Sequence, residues 1–397
     1  MFAKMRGFPL IIALVLAIAI SADSQNNSLN NPPNIHNIKG VWGEKIPVKL
    51  ELVKTIGGLN EVDPNLAFGA PYDVVRDASG YVYVLDTLNS RIQKISPEGR
   101  FVLSIGRQGQ GPGEFQRIFS FDIDDDNQLC VLDVLGMRIH FFSLDGSFRR
   151  SIKLSERVNV QIRRLKSRSF VKGSSFFLGK LMDKREKLPK LLEILDSDGR
   201  LKAAFGEATD FKAAVANSVA NIFQLETDEH DNIYVSFCYQ NRIEKYSPDG
   251  KLLWRADRPL AYSTKIIDKG SYEADSRGNV GIKGPRMNTV SRGIGIDSED
   301  RIWVNTWNRQ MTSEEIGAPA SVRGAIRRTV EPIILKMDIH RIDVFNKDGV
   351  LLGMIPMDCA VHGLRIFGDN LFVWERNDAI VYQFKIVDRK TEEPAFR

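Results

Sequence analysis

The chain has 397 residues, of which 43% are hydrophobic and 26% charged. Its formal net charge of +5 and its isoelectric point near 8.9 are mild for this length. A dedicated nucleic-acid binder concentrates basic residues on one face or element, so the composition argues against that class and we expect no nucleic-acid partner. The length allows two or three average domains, or one large all-β or repeat domain.

The first residues have the pattern of an export signal. A short basic start precedes a nearly unbroken apolar run over Phe8–Ala22, and small residues follow it. The run is short for a membrane span and typical of a cleavable secretory signal. We therefore predict a signal peptide over residues 1–24, a polar flexible leader over 25–47, and a periplasmic or extracellular mature chain without a transmembrane span. Because no cysteine precedes Cys130, a lipoprotein anchor at the processed terminus is excluded.

Internal repeats organise the rest of the chain. Three stretches share one spacing of apolar runs and turn signals such as DASG and SPEG, namely Tyr72–Gly106, Phe119–Leu154 and Phe223–Asp257. Each stretch predicts four short strands, since apolar residues alternate and glycine-containing turns separate the runs. Interrupted copies follow the same pattern in Ser169–Gly179 with Leu191–Gly206, in Gly293–Trp307 with His340–Ile355, and in His362–Asp388.

Four-stranded sheets of this kind cannot bury both faces alone, so neighbours must stack, and radial stacking gives a β-propeller. The last copy has three strands, and Val48–Gly58 matches the missing fourth. We predict an all-β fold over residues 48–389, a six-bladed β-propeller of four-stranded antiparallel blades closed by an N-terminal strand. Residues 390–397 form a C-terminal tail. The hairpin-like Tyr272–Gly284 leaves seven blades as the alternative.

The stretch DASGYVYVLDTLNSRIQKISPEGRFVLSIGRQGQGPGEF resembles an NHL repeat, and Val48–Asp388 as a whole resembles secreted bacterial six-bladed propellers of NHL type. The resemblance implies the fold. It leaves the function open, because that family includes binding and scaffold proteins as well as some lyases and related hydrolytic propellers.

The glycine-rich stretch Gly106–Phe115 could be a phosphate-binding loop or a connector between blades. A phosphate fingerprint requires a helix directly after the glycines, whereas a strand pattern follows here. The segment Ile56–Val74 occupies the same place in the repeat. These observations favour the connector.

An aspartate and an arginine flank the loop between the second and third strands of the best repeats. Paired across that loop they would satisfy each other, and the arginine could also reach loop carbonyls, so we predict a structural brace. The residues are Asp86, Arg91, Asp133 and Arg138, with Arg242 and Arg341 keeping only the arginine.

Metal and cofactor sites are not predicted. The five histidines occupy different registers of the repeat, whereas zinc or copper needs several such ligands at one point. Counting back from each second strand predicts a ring of residues around the central channel, and a ring with one carboxylate is a poor calcium site. Its members are Asp73, Ser120, Ser167, Gln224, Gly293 and His362. Within this ring Asp73 and His362 should be neighbours, which makes them the candidates for acid/base catalysis; the alternative is a hydrated polar channel mouth.

Three insertions should crowd one rim of the propeller, where long loops on a rigid scaffold commonly carry binding. Their net-basic character suits an anionic partner, although acidic residues among them leave an ordinary solvated surface as the alternative. The candidate binding residues are Lys184, Arg185, Lys187, Arg309, Arg323, Arg327, Arg328, Trp307 and Tyr239. We expect an exported, non-catalytic, monomeric binding or scaffold module for a protein or an anionic glycan. The alternative is a propeller lyase or hydrolase acting at the channel mouth.

Overall fold

The computed structural model describes residues 32–155, 161–174, 187–274, 280–312 and 338–389. The predicted signal peptide and the predicted C-terminal tail lie outside the described residues. No helix in the described part of the chain is long and apolar enough to cross a membrane.

Two strands begin the described chain, β1 (Asn34–Ile35) and β2 (Val48–Gly57). Three antiparallel four-stranded blades follow, each built from consecutive strands. Blade 1 contains β3 (Pro71–Arg76), β4 (Val82–Asp86), β5 (Arg91–Ile95) and β6 (Phe101–Ile105). Blade 2 contains β7 (Ile118–Ile123), β8 (Gln128–Asp133), β9 (Arg138–Ser143) and β10 (Phe148–Lys153). Blade 3 contains β11 (Ile162–Arg164), β12 (Phe170–Gly173), β13 (Leu192–Leu195) and β14 (Leu201–Phe205).

The second half repeats the arrangement after a short helix, α1 (Ala214–Ala220). Blade 4 contains β15 (Phe223–Thr227), β16 (Ile233–Phe237), β17 (Ile243–Tyr246) and β18 (Leu252–Ala256). A hairpin of β19 (Ser271–Ala274) and β20 (Val280–Lys283) separates it from the next blade. Blade 5 contains β21 (Ser291–Ile296), β22 (Ile302–Trp307), β23 (His340–Phe345) and β24 (Leu351–Pro356). Blade 6 contains β25 (Gly363–Phe367), β26 (Asn370–Glu375) and β27 (Ile380–Asp388) together with β2.

The first strand of every blade contacts the first strand of the next, and β25 contacts β3, so the inner strands form one closed ring. The six-bladed propeller predicted from the repeats is confirmed. The alternative of seven blades is wrong, because β19 and β20 pair with each other in a separate two-stranded sheet. Strand direction alternates within a blade, so the loops between second and third strands and the connectors between blades share one end. We call this end the upper face.

Closure of the ring follows the prediction. Strand β2 runs antiparallel to β27, with Val48 opposite Asp388 and Gly57 opposite Ile380. The last blade therefore takes its outer strand from the N-terminal part of the chain and its other three from the C-terminal part. This mixed blade protects both edges that would otherwise be left open.

The leader differs from the flexible segment expected over residues 25–47. From Asn34 onward it is packed, because β1 pairs in parallel with β18 as a fifth strand of blade 4. Asn37 then accepts a hydrogen bond from Leu351 N at 2.8 Å and donates to Gly349 O at 3.0 Å. Trp42 lies against Gly353, where an added Cβ would meet the indole at 2.4 Å. The leader thus crosses the outer edges of blades 4 and 5 before it enters blade 6.

In blades 1 and 5 an aspartate in the turn after the first strand accepts hydrogen bonds from a nearby core residue. Asp77 accepts from Tyr81 N at 2.9 Å and from the hydroxyl of buried Tyr83 at 3.1 Å. Asp297 does the same for Trp303 Nε1 at 2.7 Å. Burial of these aromatic side chains would otherwise leave a polar atom unsatisfied, which is costly in a dry core. The turn signals of the repeat therefore also satisfy the polar tips of core residues.

The glycine-rich stretch is a connector between blades 1 and 2. Gly109 N donates to Phe115 O at 3.0 Å, and Phe115 N donates to Arg107 O at 2.8 Å, which closes the loop on itself. The Phe115 ring is fully buried between the blades. Gly106 has φ of 72°, and a Cβ there would lie 2.1 Å from that ring.

The variant Gly106→Ala should lower the free energy of unfolding by about 1–3 kcal/mol, since it combines left-handed backbone with overpacking. Urea denaturation measures the change. Gly284→Ala is the matched control, because no atom of the described residues lies within 4 Å of the position that its added methyl group would take and its backbone is not left-handed. The control should stay within about 0.5 kcal/mol of the parent chain. Equal stabilities of the two variants would contradict the packing role of Gly106.

Candidate functional site

The channel axis is crossed by a buried network of charged side chains that we call the axial network. Arg163 of blade 3 lies at its centre. Its Nη1 is 3.2 Å from Asp73 Oδ2 of blade 1, and its Nε is 3.4 Å from Glu226 Oε2 of blade 4. Ser120 of blade 2 donates to Asp73 Oδ2 at 3.2 Å and accepts from Arg163 at 3.0 Å. These contacts join four blades at the axis.

Arg365 of blade 6 extends the network. Its Nε lies 3.1 Å from Glu226 Oε2, and its Nη2 lies 3.3 Å from Asp122 Oδ1. Three carboxylates therefore share two guanidiniums, and Asp73, Arg163, Glu226 and Arg365 are all buried. Burial of charges is tolerated when each is paired, and here each of these charges has an opposite charge within 3.4 Å, although Arg163 Nε makes no hydrogen bond among the described residues. Asp73, a catalytic candidate from sequence, is held inside this network.

The expected ring around the channel needs correction in blade 3. Ser167 is exposed in the turn between β11 and β12, because the first strand of this blade is short and ends at Arg164. Gln161 lies directly before that strand instead, and its Nε2 donates to Gln224 Oε1 at 2.6 Å. Gly293 is packed against the backbone of Leu364, 2.7 Å from where a Cβ would be. The ring position of blade 5 therefore offers no side chain.

Above the axial network lies a second polar group, the upper mouth, formed by Tyr72, Tyr239, Arg292, His362 and Arg376. The guanidinium carbon of Arg376 lies 4.6 Å from the centroid of the Tyr72 ring. Arg292 Nη2 donates to the hydroxyl of Tyr239 at 3.1 Å. Arg292 also acts electrostatically on Tyr72, Arg376 and His362, so residues of blades 1, 4, 5 and 6 share one environment.

The two arginines of the upper mouth differ from those of the axial network in their partners. Among the ion pairs of the described residues, none joins Arg292 or Arg376 to a carboxylate. Arg376 Nε is buried without a hydrogen-bond partner in this part of the chain. Burial, together with the nearby charge of Arg292, lowers the pKa of Arg376. The mouth is therefore a place where positive charge is concentrated and incompletely compensated.

Two histidines beside the mouth are neutral at physiological pH. Burial, and then the charges of Arg376, His340 and Arg292, lower the pKa of His362 to about 3. Its Nδ1 accepts from Arg376 N at 3.3 Å. Burial alone lowers the pKa of His340 to about 4, and its Nδ1 is buried without a partner among the described residues. No hydrogen bond or ion pair joins Asp73 to His362, although both lie in the described part of the chain.

The rim residues proposed from sequence are found in several environments. Trp307 meets the ring of His340 edge-on at 5.2 Å, close to the mouth, and its Nε1 is buried without a partner in the described chain. Arg309 forms a two-pronged ion pair with Asp338, at 2.7 and 3.0 Å. Lys187 is exposed. The remaining candidates, Lys184, Arg185, Arg323, Arg327 and Arg328, lie outside the described residues.

The repeated arginines clamp the connector that enters their blade. Arg91 Nε lies 3.2 Å from Asp86 Oδ2, and its Nη2 donates to Ala67 O at 3.0 Å. Arg242 reaches Glu207 O at 2.8 Å in the same way.

The carboxylate partner of the repeated arginine varies between blades. Arg242 pairs with Glu244 at 2.8 Å, and Arg341 pairs with Asp343 at 2.7 Å, so the acid lies two residues further on. In blade 2 the expected pairing differs, because Arg138 donates to Gly136 O at 3.2 Å. There Asp133 accepts from backbone amides, including Arg117 N at 2.9 Å.

Within the described residues no group of three or more His, Cys, Asp or Glu side chains is arranged to hold a metal ion.

Residues 69–253 match the model of the DUF5128 family, described as 6-bladed beta-propeller. No curated protein matches the chain significantly. A Bacteroides fragilis protein assigned as exported shares 11% identity and a TM-score of 0.56, covering 91% of this chain and 100% of its own. A member of the DUF4221 family from Bacteroides vulgatus shares 11% identity and a TM-score of 0.55, covering 86% and 99%. Virginiamycin B lyase from Staphylococcus aureus shares 9% identity and a TM-score of 0.47, covering 86% and 100%. Identities this low show the fold alone.

Removal of one cation from the axial network should destabilise the chain strongly. Arg365→Met leaves buried Glu226 and partly buried Asp122 without that partner, which should cost about 3–5 kcal/mol of unfolding free energy. Lys385→Met is the matched control, because Lys385 and Asp369 form a half-exposed pair at 2.9 Å. It should cost no more than about 1 kcal/mol. Urea denaturation of both variants tests the network, and equal costs would contradict it.

Stability should fall as the pH is lowered from 6.5 to 4. The folded-state pKa values of His340 and His362, about 4 and about 3, lie below the ordinary 6.5, so the unfolded chain binds more protons in this window. Their contribution is complete above pH 6.5 and is lost on acidification. Urea denaturation across this range should show that the free energy of unfolding depends less steeply on pH in the double variant His340→Gln/His362→Gln than in the parent chain. The variant His230→Gln, in an exposed turn, should keep the pH dependence of the parent chain. If it lost as much of that dependence as the double variant, the role given to His340 and His362 would be contradicted.

Proposed function

We propose that the chain is an exported, non-catalytic β-propeller that binds a protein or an anionic glycan on its upper face. The observation that carries the proposal is the upper mouth, where Arg292 and Arg376 lie together without a carboxylate partner among the described residues. Propeller ligands commonly meet the end of the channel where loops converge, and a concave cationic surface favours anionic partners.

The inserted loops add to the same face. The loops after β12 and after β22 and the long connector after β18 all start from the upper end of their blades. They carry the basic residues selected from the sequence, including Lys187 and Arg309. An extended anionic chain bound at the mouth would pass over this rim.

Export is supported by the apolar segment Phe8–Ala22 and the basic start before it. The similarly folded protein of Bacteroides fragilis is assigned as exported. We propose a periplasmic or extracellular location and a monomeric mature chain.

Two features count against the enzymatic alternative. The carboxylate of Asp73 is occupied by Arg163 and Ser120 within the axial network. His362 has a pKa of about 3, which makes it a weak base that carries no proton to donate as a general acid near neutral pH. A lyase or hydrolase at the mouth would need other groups.

Neutralising the rim should weaken binding of an acidic polymer. We expect the mature protein to bind polygalacturonate, and Arg323→Gln/Arg327→Gln/Arg328→Gln to bind at least tenfold more weakly, because the positive field of the upper face is reduced. Affinity is measured by biolayer interferometry on immobilised polymer. A parallel pull-down from envelope extract, with the same variants, tests a protein partner.

The matched control removes three exposed positive charges from the opposite face, as Arg100→Gln/Arg200→Gln/Lys347→Gln. It should bind like the parent chain. If both triple variants lost affinity equally, net charge alone would explain the effect, and the proposed role of the rim would be contradicted. Turnover of an acidic polysaccharide that disappears in Asp73→Asn or His362→Ala would establish the enzymatic alternative instead.

A further inference from the structure

The upper mouth holds two guanidiniums that the chain itself does not neutralise. In the axial network below, Arg163 and Arg365 each contact two carboxylates. Arg292 and Arg376 contact tyrosines instead, the hydroxyl of Tyr239 and the face of Tyr72. Tyrosines orient a guanidinium but leave most of its charge uncompensated, so the mouth retains affinity for an anion.

Among the described neighbours of the pair, one acid, Glu375, acts electrostatically on Arg376. His340 and His362 are neutral, and Gln161 and Gln224 bond to each other through their amides. Glu375 is the nearby acid of blade 6, and its oxygens accept from the backbone of Asn377 at 3.0 Å and of Asp378. Burial raises the pKa of Glu375. No ion pair joins Glu375 to Arg292 or Arg376 among the described residues, so neither guanidinium has a direct carboxylate partner there.

The walls of the mouth suit more than a bare ion. The rings of Tyr72 and Phe119 are 4.9 Å apart between centroids, and Tyr239 lies beside Arg292 on the far side. Aromatic faces offer apolar contact to a ring-shaped ligand, and each of the Gln161 and Gln224 amides keeps one N–H beyond the bond that it already donates. Trp307 Nε1 and Arg376 Nε are buried donors without partners among the described residues.

Taken with the proposed function, on which it rests, this geometry points to a sugar acid as the ligand of the upper mouth. The carboxylate lies between Arg292 and Arg376, and the sugar ring lies against Tyr72. A carboxylate matches the fork of a guanidinium with two parallel hydrogen bonds. The neutral hydroxyls of the sugar match the amides and the unpartnered donors.

The experiment measures binding of single sugars to the mature chain by isothermal titration calorimetry. Glucuronate should bind, and glucose, which has the same ring without the carboxylate, should bind at least tenfold more weakly. Arg292→Gln and Arg376→Gln should each weaken glucuronate binding at least tenfold. Arg100→Gln, an exposed site on the opposite face, is the control and should leave the affinity unchanged.

A second readout shows whether the variants report on the site rather than on folding. The imidazole C2 proton of His362 should shift on addition of glucuronate, and its titration midpoint should rise, because a bound carboxylate opposes the effect of the two arginines on this ring. Arg376→Lys keeps the charge and should retain part of the affinity while losing the two-pronged contact.

Three outcomes would overturn the inference: equal affinities for glucuronate and glucose, unchanged affinity in Arg292→Gln and Arg376→Gln, or glucose 6-phosphate binding tenfold more tightly than glucuronate, which would indicate a phosphate site. Polygalacturonate separates this result from the proposed function. If polymer binding depends on the rim but survives both mouth variants, the inference is contradicted and the proposed function stands. If glucuronate binds but neither polymer nor envelope protein does, the proposed binding role of the rim is contradicted and the sugar-acid site stands.

Discussion

The pairing of β2 with β27 is the constraint on which the rest of the molecule depends. A four-stranded blade cannot bury both of its faces alone, so each of the six sheets relies on two neighbours, and an open ring would leave two sheets half exposed. Closure also sets the distance across the axis. Arg163 and Arg365 can share Glu226 only when blades 3, 4 and 6 are held at one radius. The buried charges at the centre therefore depend on the backbone hydrogen bonds at the periphery.

Much of this architecture is local and could be predicted from the sequence. Alternating apolar residues define the strands, glycine-containing turns separate them, and both signals recur at a fixed spacing. The connector around Gly106 could be distinguished from a phosphate loop because the same place in the repeat held a second connector. The closing strand could be predicted for the same reason, since the last repeat lacked one strand and Val48–Gly58 supplied the pattern.

Of the five residues at the mouth, His362 and Tyr239 were candidates from the sequence, whereas Tyr72, Arg292 and Arg376 were not. In blades 1, 2 and 5 a register shift falls within the first strand, next to Tyr72, Phe119 and Arg292. Each of these lies one residue before the position that counting from the second strand assigned to the channel ring. A bulge changes the direction of the strand without a signal in the apolar alternation, so counting fails there. The packed leader was missed because its contacts, such as Asn37 with Gly349, join segments far apart in the chain.

The crossing of the leader over blades 4 and 5 has a consequence for the order of biosynthesis. The residues synthesised first, from Asn34 onward, find their partners only at Arg255, Leu351 and Asp388. Contacts of such sequence separation form slowly, because a long loop must close before they contribute. Blade 6 therefore cannot be completed until β27 has been synthesised. The ring stays open until this last strand has been made, whereas blades 1 to 3 are built from consecutive strands and can form earlier.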